Sequence, residues 1–216
     1  MPNIIELLQG AGKQQQKDYF TKQVGNVHEF YLSGEIESPE NYIEWFDAIR
    51  HAGEGDAVKI YINSPGGDLM TAIQFMRVLA ETNAMTIASV EGACMSAATM
   101  IFLCCEQFEV TPHSMFMFHN YSGGAFGKGG EMIDQLQHER VWSEALLREV
   151  YADFLTEAEI TSMLDNKDLW MDGNQVIERL NSRNEALRAA AEAAQKAAES
   201  NTKVPRKPVA KKQQNS

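Results

Sequence analysis

Three short stretches carry residue types that could do chemistry together. The first is "INSPGGD" (62–68), in which Gly66 and Gly67 follow an apolar run. With no side chains to shield them, two successive glycines leave backbone N–H groups open. The second is "EGACMSAATMIF" (91–102), which sets a lone hydroxyl, Ser96, just past Gly92 among small and apolar residues. Where a buried strand becomes a helix, the helix start offers unpaired N–H groups and a partial positive potential. The N–H of Ala97 then points into the same space as the Ser96 hydroxyl, beside any nascent oxyanion. The third stretch is "MFMFHNYSGG" (115–124), whose apolar run ends on His119 ahead of glycines.

Taken singly, each stretch has an ordinary structural reading: a tight turn, an N-cap serine, a hydrogen-bonded histidine. Together they supply a hydroxyl, a base and an oxyanion pocket, the parts that acyl transfer needs. A serine hydroxyl is a poor nucleophile at neutral pH unless a base takes its proton. That base in turn needs a carboxylate to fix its tautomer. No GxxxxGK[ST] motif is present, so the glycine pair is not a P-loop. The remaining histidines offer less: His28 and His51 lie in polar settings, His113 follows a proline, and His138 falls on a long helical stretch.

These residues need a scaffold of alternating strands and helices. "EFYLSGEI" (29–36) reads as a strand, and Ser38 and Pro39 start a helix that ends at Gly53. "AVKIYIN" (57–63) is a second strand, apolar enough to suit a sheet covered on both faces. A helix over about 69–80, the strand "AMTIASV", the helical stretch "MSAATMIFLCC", and the short strands "QFEVT" and "SMFMFHN" follow. This alternation predicts an α/β fold with a largely parallel sheet. After the glycine-rich "GGAFGKGG", Ile133, Leu136, Trp142, Leu146, Val150 and Phe154 predict a long amphipathic helix. Thr156 and Glu159 form a capping box for another helix, and from about Asn174 the chain is helical again.

Length, charge and cysteines narrow the function. The 216 residues suffice for one substantial core plus tails. A net charge of −11 argues against nucleic-acid binding, which needs a basic face. Lys203, Arg206, Lys207, Lys211 and Lys212 reverse that trend in an acid-free tail. Cys94, Cys104 and Cys105 show no ligand spacing and read as small buried hydrophobes in a reducing compartment. There is no signal peptide and no apolar run long enough to span a membrane, so a cytoplasmic location is expected.

"YINSPGGD", "EGACMSAATMIFL" and "MFHN", in this order, resemble the ClpP family of serine peptidases over about residues 29–180. The resemblance implies a ClpP/crotonase-like ββα superhelix with a protruding handle helix near 131–155. It places Ser96 at the nucleophile position and His119 at the base position. Asp168, in "NKDLWMD", takes the carboxylate position, 49 residues after His119, with Asp165 and Asp172 as rivals on the same stretch. The backbone amides of Gly67 and Ala97 become the oxyanion hole.

The implied activity is endopeptidase cleavage of unfolded or threaded polypeptides inside a homo-oligomeric ring, in the family a stack of heptamers. It implies no cofactor or metal, and an AAA+ unfoldase as a possible partner. Ala97, "SAAT" and the Asn120–Tyr121 pair depart from the family pattern and point to a divergent, bacteriophage-type branch. The implied organisation is an N-terminal arm (1–25), a peptidase domain (26–182), an alanine-rich helix (183–200) and a basic disordered tail (201–216). Two other readings use the same residues: an inactive structural subunit, or a crotonase-type acyl-CoA hydratase or lyase.

Overall fold

The computed structural model describes residues 25–202, with side chains through residue 196. All but the last residue of the expected N-terminal arm, and the basic tail beyond residue 202, lie outside the described residues.

Six strands form one sheet in the order β1-β2-β3-β5-β6, with β4 also paired to β3. They are β1 (Val27–Ser33), β2 (Ala57–Ser64), β3 (Met85–Met95), β4 (Gln107–Glu109), β5 (Met115–Phe118) and β6 (Leu169–Asp172). All pairings are parallel except β5 with β6. The helices are α1 (Ile43–His51), α2 (Leu69–Glu81), α3 (Ala97–Leu103), α4 (Gly129–Tyr151), α5 (Glu157–Leu164) and α6 (Gly173–Thr202). Pro39–Tyr42 is a 3₁₀ turn leading into α1, so the helix that the Ser38–Pro39 pair predicts begins with a tighter turn.

β3 is the spine. Its first half pairs with β4 through Ile87–Ser89, and its second half pairs with β5 through Ala93–Met95. The sequence predicts this strand only to Val90. It runs on to Met95 because β5 adds a second partner further along the same edge.

The core lies between the sheet and its helices. In α2, Thr71, Ala72, Phe75, Val78 and Leu79 are buried, the spacing of one helical face. Phe75 meets Phe46 of α1 edge-on at 4.8 Å. Every residue of α3 is buried, which explains the small and apolar run around Ser96.

β2 corrects one expectation, that the sheet is covered on both faces. Val58, Ile60 and Ile62 are fully buried, while Ala57, Lys59 and Tyr61 between them are only half-buried. The outer face instead carries a polar ladder: Lys59 Nζ lies 2.8 Å from Glu109, and the Tyr61 hydroxyl donates to Glu29 at 2.7 Å. Apolar stems with charged tips let an alternating strand look continuously apolar.

In α4, Leu147 and Tyr151 are buried, and Leu146 and Val150 pack against the core. The C-terminal half of this helix therefore covers the domain. α6 is one continuous helix running through both the expected domain end at 182 and the alanine-rich segment.

Candidate active site

The carboxyl ends of the parallel strands converge, the usual position for a site in an α/β sheet. β2 leads into the Pro65–Gly67 turn, Ser96 directly follows β3, and His119 directly follows β5. β6 runs the other way, so the residue before it, Asp168, arrives at the same end.

Ser96 stands between β3 and α3 with φ 54° and ψ −129°. Such left-handed backbone is uncommon for a non-glycine residue and marks a position held by its surroundings. Its N–H donates to Met117 O of β5 at 2.8 Å. Gly66 packs so closely that a Cβ there would come within 2.6 Å of Ser96 Cβ. Although Ser96 occupies the N-cap of α3, its side chain makes no capping hydrogen bond. The hydroxyl instead meets His119 Nε2 at 2.5 Å. Ser96 and His119, 23 residues apart in the chain, are thus brought together.

Gly67 and Ala97 lie around the same cavity as Ser96. Gly67 lies beside Ile36, where Ile36 N–H donates to Gly66 O and Asp68 N–H donates to Ile36 O. Both bonds bypass the Gly67 N–H. A Cβ on Gly67 would fall 2.3 Å from Ile36 O, so this close approach needs glycine, as does its φ of 146°. Ala97 is the first residue of α3, so its N–H has no intrahelical carbonyl to bond. Both residues line a small cavity of about 60 Å³, with Ser96, Met100, His119, Leu147 and Tyr151 among its other walls.

Asp168 sits in register but apart. β5 and β6 pair Met115 with Asp172, Met117 with Trp170 and Phe118 with Leu169, each pair of numbers summing to 287. One step further the ladder sets 119 against 168. Asp168 is exposed, and among the described residues no hydrogen bond joins it to His119. Of the rival acids, Asp172 is engaged elsewhere, accepting from Gln175 N–H at 2.9 Å at the start of α6, and Asp165 is the C-cap of α5 through its backbone.

Two nearby hydroxyls carry no sequence signal. Thr99 Oγ1 donates to Ser96 O at 2.7 Å and lies 2.7 Å from the Tyr151 hydroxyl. Only a threonine at i+3 from Ser96 was visible. The cysteines are as expected: Cys94 and Cys105 are buried and Cys104 is half-buried. Burial pushes all three thiols up, Cys104 to about 11, which makes them poor nucleophiles at neutral pH. Among the described residues no group of His, Cys, Asp and Glu could hold a metal ion, and no helix is long and apolar enough to cross a membrane.

A parallel α/β sheet that delivers a serine, a histidine and a two-glycine turn to one end has the fold of a ClpP-like peptidase. A family model described as Clp protease matches residues 21–179, well over half of the chain. The chain belongs to the Clp protease family. Its fold is also similar to a solved structure of a ClpP1 mutant from Listeria monocytogenes, with a TM-score of 0.55 and 18% sequence identity. That match covers 70% of this chain and 86% of the other. The family generally forms oligomeric rings.

Proposed function

We propose that this protein is a serine endopeptidase that cleaves unfolded or threaded polypeptides within an oligomeric ring. The observation that carries the reading is the 2.5 Å contact between a strained, uncapped Ser96 hydroxyl and His119 Nε2.

In this reading His119 takes the Ser96 proton as the hydroxyl oxygen attacks a peptide carbonyl. The carbonyl oxygen becomes an oxyanion held by the Gly67 and Ala97 N–H groups, each such donor being worth roughly 3 kcal/mol of barrier. The imidazolium then protonates the leaving amine, and water resolves the acyl-enzyme by the reverse path. Asp168, opposite His119 in the register, is the carboxylate that accepts from Nδ1–H and stabilises the imidazolium. Its side chain is exposed and turns toward the ring to make this contact. Leu69, Met100 and Leu147 give the cavity beside Ser96 apolar walls suited to a peptide side chain. An AAA+ unfoldase would be needed only to deliver chains that are still folded.

The test uses a substrate that is already unfolded. Purified protein should degrade denatured casein and take up a fluorophosphonate on Ser96, and Ser96→Ala should abolish both. Equal cleavage by wild type and Ser96→Ala would overturn the reading. Absence of both activities in the wild type would favour a structural subunit.

A further inference from the structure

The peptide unit between Ser96 and Ala97 is a rigid plane that carries the Ser96 carbonyl on one side and the Ala97 N–H on the other. Whatever fixes the carbonyl also aims the N–H. Three groups converge there. Thr99 N–H donates to Ser96 O at 2.9 Å, and Thr99 Oγ1 donates to the same oxygen at 2.7 Å. The Thr99 oxygen in turn lies 2.7 Å from the Tyr151 hydroxyl. A carbonyl can only accept, so the single Thr99 hydroxyl proton goes to Ser96 O. Tyr151 must then be the donor to Thr99. The chain of bonds runs one way, from Tyr151 O–H to Thr99 Oγ1 to the carbonyl of Ser96.

We infer that Thr99 and Tyr151 are positioning residues that lock the Ser96–Ala97 peptide so that the Ala97 N–H faces the oxyanion. The inference rests on the peptidase reading given above. Thr99 is fully buried and Tyr151 nearly so, and in such a low-dielectric setting each hydrogen bond is strengthened and costly to lose. Burial also holds the Tyr151 phenol well above its ordinary pKa, so it stays a donor at any working pH. Tyr151 is the last residue of α4, and its ring packs edge-on against Phe118, the residue before His119, at 5.6 Å. One side chain therefore touches both arms of the site and ties them to the long helix.

The experiment compares Thr99→Val, Thr99→Ser and Tyr151→Phe in the full chain with a fluorogenic peptide substrate. Two inhibitors are added: a peptide aldehyde, which binds as a tetrahedral adduct, and the matching peptide alcohol, which cannot form one. For Thr99→Val and Tyr151→Phe, kcat should fall about tenfold or more with KM within about threefold. Aldehyde affinity should fall in step with kcat while alcohol affinity holds. Thr99→Ser, which keeps the hydroxyl, should stay close to wild type. Thr99→Val strands the Tyr151 hydroxyl and is the variant more prone to misfold. Tyr151→Phe removes one oxygen, keeps the ring packed, and is decisive. A folded Tyr151→Phe with wild-type kcat and aldehyde affinity would overturn the inference, as would equal losses of aldehyde and alcohol binding. Inert wild-type protein has a different signature, and overturns the peptidase reading and this relay together.

Discussion

Ser96 holds a backbone conformation that costs a serine roughly 1–3 kcal/mol, and its surroundings must supply that energy. The Met117 carbonyl, the bare Gly66 and the fully buried α3 do so together. The residue types at 96 and 119 were legible because a hydroxyl and an imidazole stand out at the ends of apolar runs. The strain was not legible, because it arises from neighbours 21 and 30 residues away in the chain, Met117 and Gly66. Nor could residue type separate Asp165, Asp168 and Asp172. Register favours Asp168 in the proposed reading, since extending the β5–β6 ladder by one step sets 168 opposite 119. Asp168→Asn should therefore cut kcat on a peptide substrate on the order of 10²–10⁴-fold, leaving the histidine without its orienting charge. Asp165→Asn and Asp172→Asn should stay within a few-fold of wild type, since asparagine still caps a helix at 172. A large loss at 172 with none at 168, measured by steady-state kinetics, would reassign the carboxylate.

The elements that bear the site were mostly visible through periodicity, and the exception is informative. β6 is only four residues long, has Trp170 exposed, and follows a polar turn, so it lacks the alternation that marks a strand. It exists because β5 offers an open edge. The helices before and after it, α5 and α6, are joined by an ion pair that the capping box at Thr156 only half reveals. Arg179 of α6 grips Glu159 of α5 with bonds of 2.6 and 3.0 Å, and Thr156 N–H adds a third at 2.8 Å. Arg179 chiefly, then Thr156, draws the Glu159 carboxyl from 4.5 down to about 2. A carboxyl depressed in the folded state adds stability above its unfolded pKa and loses it as pH falls toward the folded value. Urea unfolding should therefore show Glu159→Gln about 1–2 kcal/mol less stable than wild type near neutral pH. The gap should narrow between about pH 4.5 and pH 2. A gap independent of pH would mean the pair adds shape and not charge.

At the scale of the molecule, α4 divides its labour along its length. The last turns, from Ser143 on, cover the core, while the part before them stands clear with Ile133 58%, Leu136 45% and Val141 72% exposed. At 100° per residue these three fall within an arc of about 140°, one face of the helix. In the sequence Ile133, Leu136, Trp142, Leu146 and Val150 read as one apolar series, yet Leu146 and Val150 are spent on the chain's own core. Period alone cannot separate two apolar faces offset along one helix. A free apolar stripe on a chain of net charge −11 is not needed for solubility, and in a ring-forming family a second copy is the fitting cover. Leu136→Glu with Val141→Glu should convert large assemblies to small ones in sedimentation velocity. Each protomer should keep its far-UV circular dichroism, because neither side chain reaches the core. Casein degradation should fall with the assembly while fluorophosphonate uptake on Ser96 falls less, the pair with His119 lying within one chain. Unchanged sedimentation would assign assembly to another surface and leave this stripe without a partner.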